Sequence, residues 1–145
     1  MRSRQIALAA CAATAVFVLG WKTRDLTAQA PKPVSMTRIY TGPDGLSHAE
    51  VVPIKLNAGG VGETMKASGA QFSRRPPGPA SDWHVGPRRQ LVITLSGRAE
   101  LEVAGGQKVA VGPGHISLIE DTTGKGHTTR NVGPDDRIVV TIPLE

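Results

Sequence analysis

The feature that most constrains this chain is how often it must turn. From residue 37 onward, glycine and proline recur so closely that only short elements fit between them. Residues 37–41 (TRIYT) are β-branched and aromatic, and Gly42-Pro43-Asp44-Gly45 then supplies a strong turn. Residues 48–56 form a second strand candidate, with Pro53 marking an edge or a bulge. A glycine-rich loop over 57–62 follows. Residues 63–73 read either as loop or as a paired strand, and the run 75–79 (RPPGP) is an exposed connector.

The second half is more regular. Runs at 89–95, 99–103, 108–111, 116–119, 127–130 and 137–142 are separated by Ser96-Gly97, Gly105-Gly106, Gly112-Pro113-Gly114 and a polar loop over 121–126. Within 99–103, Glu100 and Glu102 fall on one face and Ala99, Leu101 and Val103 on the other. No stretch past residue 30 has helical periodicity, and no internal repeat is visible. Strands at this spacing predict an all-β sandwich or barrel.

Residues 1–30 read differently. Arg2 and Arg4 precede an uncharged, mostly apolar run over 6–21, and a polar stretch ends in Ala28-Gln29-Ala30. A basic start, an apolar run and an A-x-A site are the parts of a secretory signal. Pro31 hinders cleavage at that site, and the run falls short of the ~20 residues that comfortably span a bilayer. Residues 1–30 are therefore expected to be a signal peptide or an N-terminal membrane anchor, with the domain at 31–145. The expected location is the periplasm or outside the cell, or the periplasmic face of the inner membrane.

The leader also explains the charge. It holds four basic residues (Arg2, Arg4, Lys22, Arg24) and one acid (Asp25), which leaves 13 basic against 11 acidic residues, a net of +2, in the remainder. Tyr40, Phe72 and Trp83 are the only aromatics past residue 30, too few for a base-stacking platform, so no nucleic-acid partner is expected. Cys11 is the only cysteine, so the domain has no thiol nucleophile and no disulfide. Neither a G-x-S-x-G elbow nor an H-E-x-x-H helix occurs, and Gly59-Gly60-Val61-Gly62 precedes no helix and is not a phosphate loop.

Chemistry-bearing residues gather in two segments, 82–90 (DWHVGPRRQ) and 120–127 (EDTTGKGH). In the strand that follows the first, Gln90, Val92 and Thr94 share one face, and Leu91, Ile93 and Leu95 the other. If the first face lines an interior, Gln90 sits near its mouth with His84 and Arg88. Of the adjacent Arg88 and Arg89, one is free to meet an anionic ligand or Asp82, and the other faces solvent or a subunit contact. His48, His115 and the pair Arg74-Arg75 read as surface or structural residues.

These segments resemble the cupins. The first cupin motif has two histidines, a glutamate and a final glycine; with His84 as its first histidine, Gly86 stands at the second, Gln90 at the glutamate and Gly97 at the glycine. The second has a glycine, then P-x-G-x-x-H-x-x-x-N; Gly114, Gly124, His127 and Asn131 match, while Thr122 replaces the proline in a longer gap. The resemblance covers about residues 36–145. It implies a double-stranded β-helix, or jelly-roll barrel, and a homodimer. In metal-binding cupins two histidines, a glutamate and the second-motif histidine hold one divalent metal.

The resemblance thus points to His84, His127, Gln90 and, in a shifted reading, Asp82 as metal ligands, with Fe, Mn, Ni or Zn as the metal. A pocket with no metal is equally open, because a charged ligand is missing from the matched positions. Arg88, Lys125 and Thr94 are the expected ligand-binding residues, for a small molecule, with an anionic one open. The reaction, if there is one, is not specified. A metal-assisted enzyme, a metal-free ligand-binding protein and an envelope protein with a vestigial pocket all remain open.

Overall fold

Frequent turns and β-branched runs produce nine strands and, among the described residues 32–145, no helix in the computed structural model. The expected leader lies outside the described residues. The strands are β1 (Ser35–Thr41), β2 (Ser47–Pro53), β3 (Gln71–Arg75), β4 (Gln90–Ser96), β5 (Arg98–Val103), β6 (Lys108–Val111), β7 (Ile116–Glu120), β8 (His127–Val132) and β9 (Arg137–Pro143). Pro53 falls at the end of an edge strand, where a missing donor costs no ladder bond.

The ambiguous 63–73 stretch resolves differently from either expectation. Its first part is irregular, and its end joins Arg74 and Arg75 in β3, which pairs antiparallel with β9. Arg75 is thus a strand residue rather than the start of the proline connector.

Two sheets result. One has six strands in the order β2-β1-β7-β4-β9-β3, the other three in the order β6-β5-β8. After β4 the chain crosses to the small sheet for β5 and β6, back for β7, across again for β8 and back for β9. That alternation is the jelly roll. Neighbouring strands are antiparallel except β1 and β7, which run parallel.

The core lies between the sheets. Ile39 and Ile119 meet Ala99, Leu101, Val103 and Val111 of the small sheet. The alternation in β5 places Glu100 and Glu102 outside, where Lys108 bridges them at 3.1 and 3.5 Å. In β4 and β9 the polarity is reversed. Gln90, Val92, Arg137 and Thr141 point inward, while Leu91, Ile93, Ile138, Val140 and Ile142 lie on the outer face. Phe72 joins that outer face and is 70% exposed.

One end of the sandwich is closed by the β4–β5 turn. Gly97 has φ of +71°, and a Cβ there would stand 2.6 Å from the Arg137 Cα. Only glycine lets this turn lie on the first residue of β9. Gly106, at the β5–β6 turn, has φ of +83° but open space around it. Replacing Gly106 with alanine should therefore cost about 1–2 kcal/mol of backbone strain alone. Gly97→Ala adds a backbone collision and should cost about 2–4 kcal/mol. Urea unfolding of the two variants checks the order, and equal losses would show that the turn does not press on Arg137.

Candidate functional site

The face reversal in β4 and β9 leaves a cavity of about 240 Å³ between the sheets. Val92, Leu101, Val111 and Ile119 form its apolar middle. His84, His127 and Gln90 line one end. Arg137 and Arg75, paired across β9 and β3, line the other. Ligand pockets commonly measure 300–1,000 Å³, so only a small molecule fits here.

His127 is held by a buried carboxylate. Its Nδ1 donates to Asp121 Oδ2 at 2.6 Å, and the same oxygen accepts from Ser47 Oγ at 2.9 Å. Asp121 is fully buried. A buried carboxylate is costly unless paired and hydrogen-bonded. Both donors here serve Oδ2, and Oδ1 is buried without a partner among the described residues. With the Asp121 carboxylate as acceptor, the hydrogen of this bond sits on Nδ1, and Nε2 is the ring nitrogen that Asp121 does not use.

His84 lies opposite. Its backbone N–H and C=O exchange two hydrogen bonds with those of His127, at 3.0 and 2.9 Å. The two rings then stand 4.6 Å apart between centroids. His84 Nδ1 donates to the Asp82 carbonyl at 2.8 Å, so its Nε2 is also the free ring nitrogen. Gly126 makes this bridge possible, since a Cβ there would collide with the His84 carbonyl. Gly86, at the position of the second motif histidine, is equally constrained: a Cβ would come within 2.5 Å of Ile119 Cγ2. A side chain that collides at its first atom cannot reach the cavity from residue 86.

At the far end, Arg137 is 4% exposed. Its Nε and Nη2 both donate to Thr94 Oγ1, at 3.2 and 2.9 Å. Among the described residues it forms no ion pair. Burial, and secondarily the charge of Arg75, push the guanidinium down to about 10, so it stays charged at neutral pH. His115 sits near it with Nε2 buried and unpartnered, and burial and then the Arg137 charge lower its pKa.

Of the residues expected from sequence, His84, His127 and Gln90 come together at the cavity. Asp82, Arg88, Lys125 and Thr94 do not line it. Asp82 contributes its backbone carbonyl to His84 and is exposed. Arg88 is exposed, and Lys125 stands over the Trp83 ring at 4.7 Å, a cation–π contact outside the cavity. Thr94 is buried behind Arg137 and acts on the cavity only by holding it. His48 pairs with Asp44 at 3.0 Å on the surface, as its sequence context suggested.

Sequence reasoning missed Asp121, Arg137 and Arg75. The signal for Arg137 was its phase with Val139 and Thr141 along β9.

The donors do not fit a resident divalent metal. Such a site normally takes three protein ligands, with a carboxylate for iron or manganese. Here two imidazoles and one amide face the cavity. Asp121 Oδ2 is engaged at His127 Nδ1, and the fully buried Asp121 does not line the cavity. Glu120 points outward, accepting from Arg38 Nε and Arg89 Nε, both at 2.6 Å. Burial alone would raise the Glu120 carboxyl, but the hydrogen bonds from Arg89 and Arg38 outweigh it and hold it below the usual range. Among the described residues no three His, Cys, Asp or Glu side chains form a metal-binding group.

No family model and no curated protein matches the chain. Solved structures do. Protein NMB1881 from Neisseria meningitidis has a TM-score of 0.42 and 18% identity, over 57% of this chain and 81% of that one. An RmlC-like cupin protein from Desulfovibrio desulfuricans has a TM-score of 0.39 and 14% identity, over 84% and 95%. The cupin domain of Cnp3 from Schizosaccharomyces pombe has a TM-score of 0.42 and 10% identity, over 79% and 86%. The jelly roll itself stands on the strand order and pairing above. The strand order, the pairing and the cavity define a small all-β jelly-roll domain with a polar-ended cavity between its sheets.

Asp121→Ala should leave Ser47 and His127 without an acceptor and cost about 1–3 kcal/mol, whereas Asp121→Asn keeps one and should cost less. Long-range proton–nitrogen spectra of the imidazoles should show a single Nδ1–H tautomer for His127 in the parent, and a mixture in Asp121→Ala. His115 gives a pH dependence. Its folded pKa is lowered, so its contribution to stability is present above the unfolded value near 6.5 and is lost as pH falls through the folded one. Urea midpoints measured from pH 7.5 to 5 should fall more steeply in the parent than in His115→Gln.

Proposed function

We propose that this chain is an exported, small-molecule-binding cupin-like protein whose pocket works without a resident metal. The observation that carries the reading is the clamp on His127. A fully buried aspartate and a serine fix one ring nitrogen, and the other stays free at the cavity beside His84 and Gln90. Burying a carboxylate only to orient an imidazole is costly for a fold with no use for that orientation. His127 Nε2 offers the ligand a hydrogen-bonding partner, Gln90 both donates and accepts, and the apolar middle strips water from the ligand. The basic start, apolar run and A-x-A site of residues 1–30 support export.

The outer face of the six-stranded sheet supports a homodimer. Ile138, Val140 and Ile142 run along it beside exposed Phe72, and Leu95 is 49% exposed. An apolar sheet face of this kind calls for cover.

A second reading keeps a metal. Both histidines have Nδ1 engaged and Nε2 free, which is how metal-binding imidazoles are held. The full chain, purified without chelator, separates the two. Elemental analysis should find far less than one metal per chain. Ligand-observed NMR with a set of small polar fragments should give hits that disappear in His84→Ala/His127→Ala. Near-stoichiometric metal that vanishes in the double variant would overturn the metal-free reading. Fragments that bind parent and double variant alike would remove the pocket reading.

A further inference from the structure

We propose that the Arg137 end of the cavity is an anion subsite, and that the ligand is a small organic carboxylate with its charged head against Arg137 and Arg75. This rests on the small-molecule reading of the pocket and moves the anion away from Arg88, where the sequence suggested it.

Arg137 is nine-tenths buried and lines the cavity. Thr94 Oγ1 engages Nε and Nη2, and among the described residues nothing engages Nη1. The nearest acid in sequence, Asp136, pairs instead with Arg74, at 3.6 Å. The charge acting on Arg137 is that of Arg75, directly across the β3–β9 ladder. Like charges placed opposite one another destabilise a sheet, and a buried guanidinium without a counter-charge does so further. An anion placed between the two arginines would relieve both.

The remaining lining narrows the class. Val92, Leu101, Val111 and Ile119 separate the arginines from Gln90 and the histidines. A ligand that fills this space carries an anionic head and a short apolar body, which inorganic phosphate lacks. Its far end meets hydrogen-bonding groups, the Gln90 amide and the two imidazoles.

The test uses the full chain in low-chloride buffer, titrated with benzoate and pyruvate, each beside its neutral amide, and with inorganic phosphate. Each carboxylate should bind about tenfold or more tightly than its amide. Arg137→Gln should abolish that preference. Arg75→Gln, at an exposed position, should weaken carboxylate binding about threefold or more, and it carries the test should Arg137→Gln fail to fold. Carboxylates and amides that bind equally, with both lost in His84→Ala/His127→Ala, would overturn the anion subsite and leave the pocket reading standing. A carboxylate preference that survives Arg75→Gln, or phosphate binding tighter than either carboxylate, would overturn the assignment of class or place. No binding by any probe would overturn both readings.

Discussion

Two backbone hydrogen bonds between His84 and His127 hold one end of this structure together. They tie the long segment between β3 and β4 to the first residue of β8 and so join the two sheets at the cavity mouth. A third bond, from Gly86 N–H to the Asp121 carbonyl at 3.0 Å, fixes the same segment to the loop after β7. Asp121 can then stand within reach of His127. The bridge exists because residue 126 has no side chain, and the space beside it is filled because residue 86 has none. Two glycines set the distance between two histidines.

The same arrangement accounts for the departures from the cupin motifs. With Ile119 against Gly86, the place of a second histidine is occupied by an aliphatic side chain of β7. With Gln90 for glutamate, no charge at the mouth offsets a cation. Besides the two histidines, the matched motif positions serve the backbone. Gly97 lets a turn lie on β9, Gly124 has φ of +75° and packs on the Gly45 carbonyl, and Asn131 Nδ2 holds the Pro76 carbonyl at 3.1 Å.

Most of the strands were legible because their ends are written in glycine and proline. Lys108–Val111 agrees to the residue, and the other ends coincide or differ by one or two positions except in β2 and at β3. β3 was obscured because two arginines and a proline run mask its end, and strand preference is weak in five residues. In the site, His84, Gln90 and His127 were legible through their spacing. Arg137 was not: it reads as the first residue of a strand, with nothing nearby in sequence to say which way it points. Its burial follows from which face of β9 turns inward, and that is decided by the opposite sheet. Asp121 was hidden for the same reason: its partner Ser47 is far away in sequence and near only after β2 and β7 are placed.

The reversed polarity of β4 and β9 has a consequence for how this fold tolerates error. Along each strand, successive residues turn alternately toward the interior, where Gln90, Val92, Arg137 and Thr141 line the cavity, and toward the apolar outer face. A slip of one residue would exchange Gln90 for Leu91 and Arg137 for Ile138, turning the pocket greasy and charging the outside. Neither face alone resists the slip, since a hydrophobic interior is what ordinary sandwiches accept. What opposes it is local: the irregularity between Thr94 and Ser96, and the β4–β5 turn seated on Arg137. Alignment of the two strands is therefore guarded by a kink and a turn rather than by the greasiness of either surface.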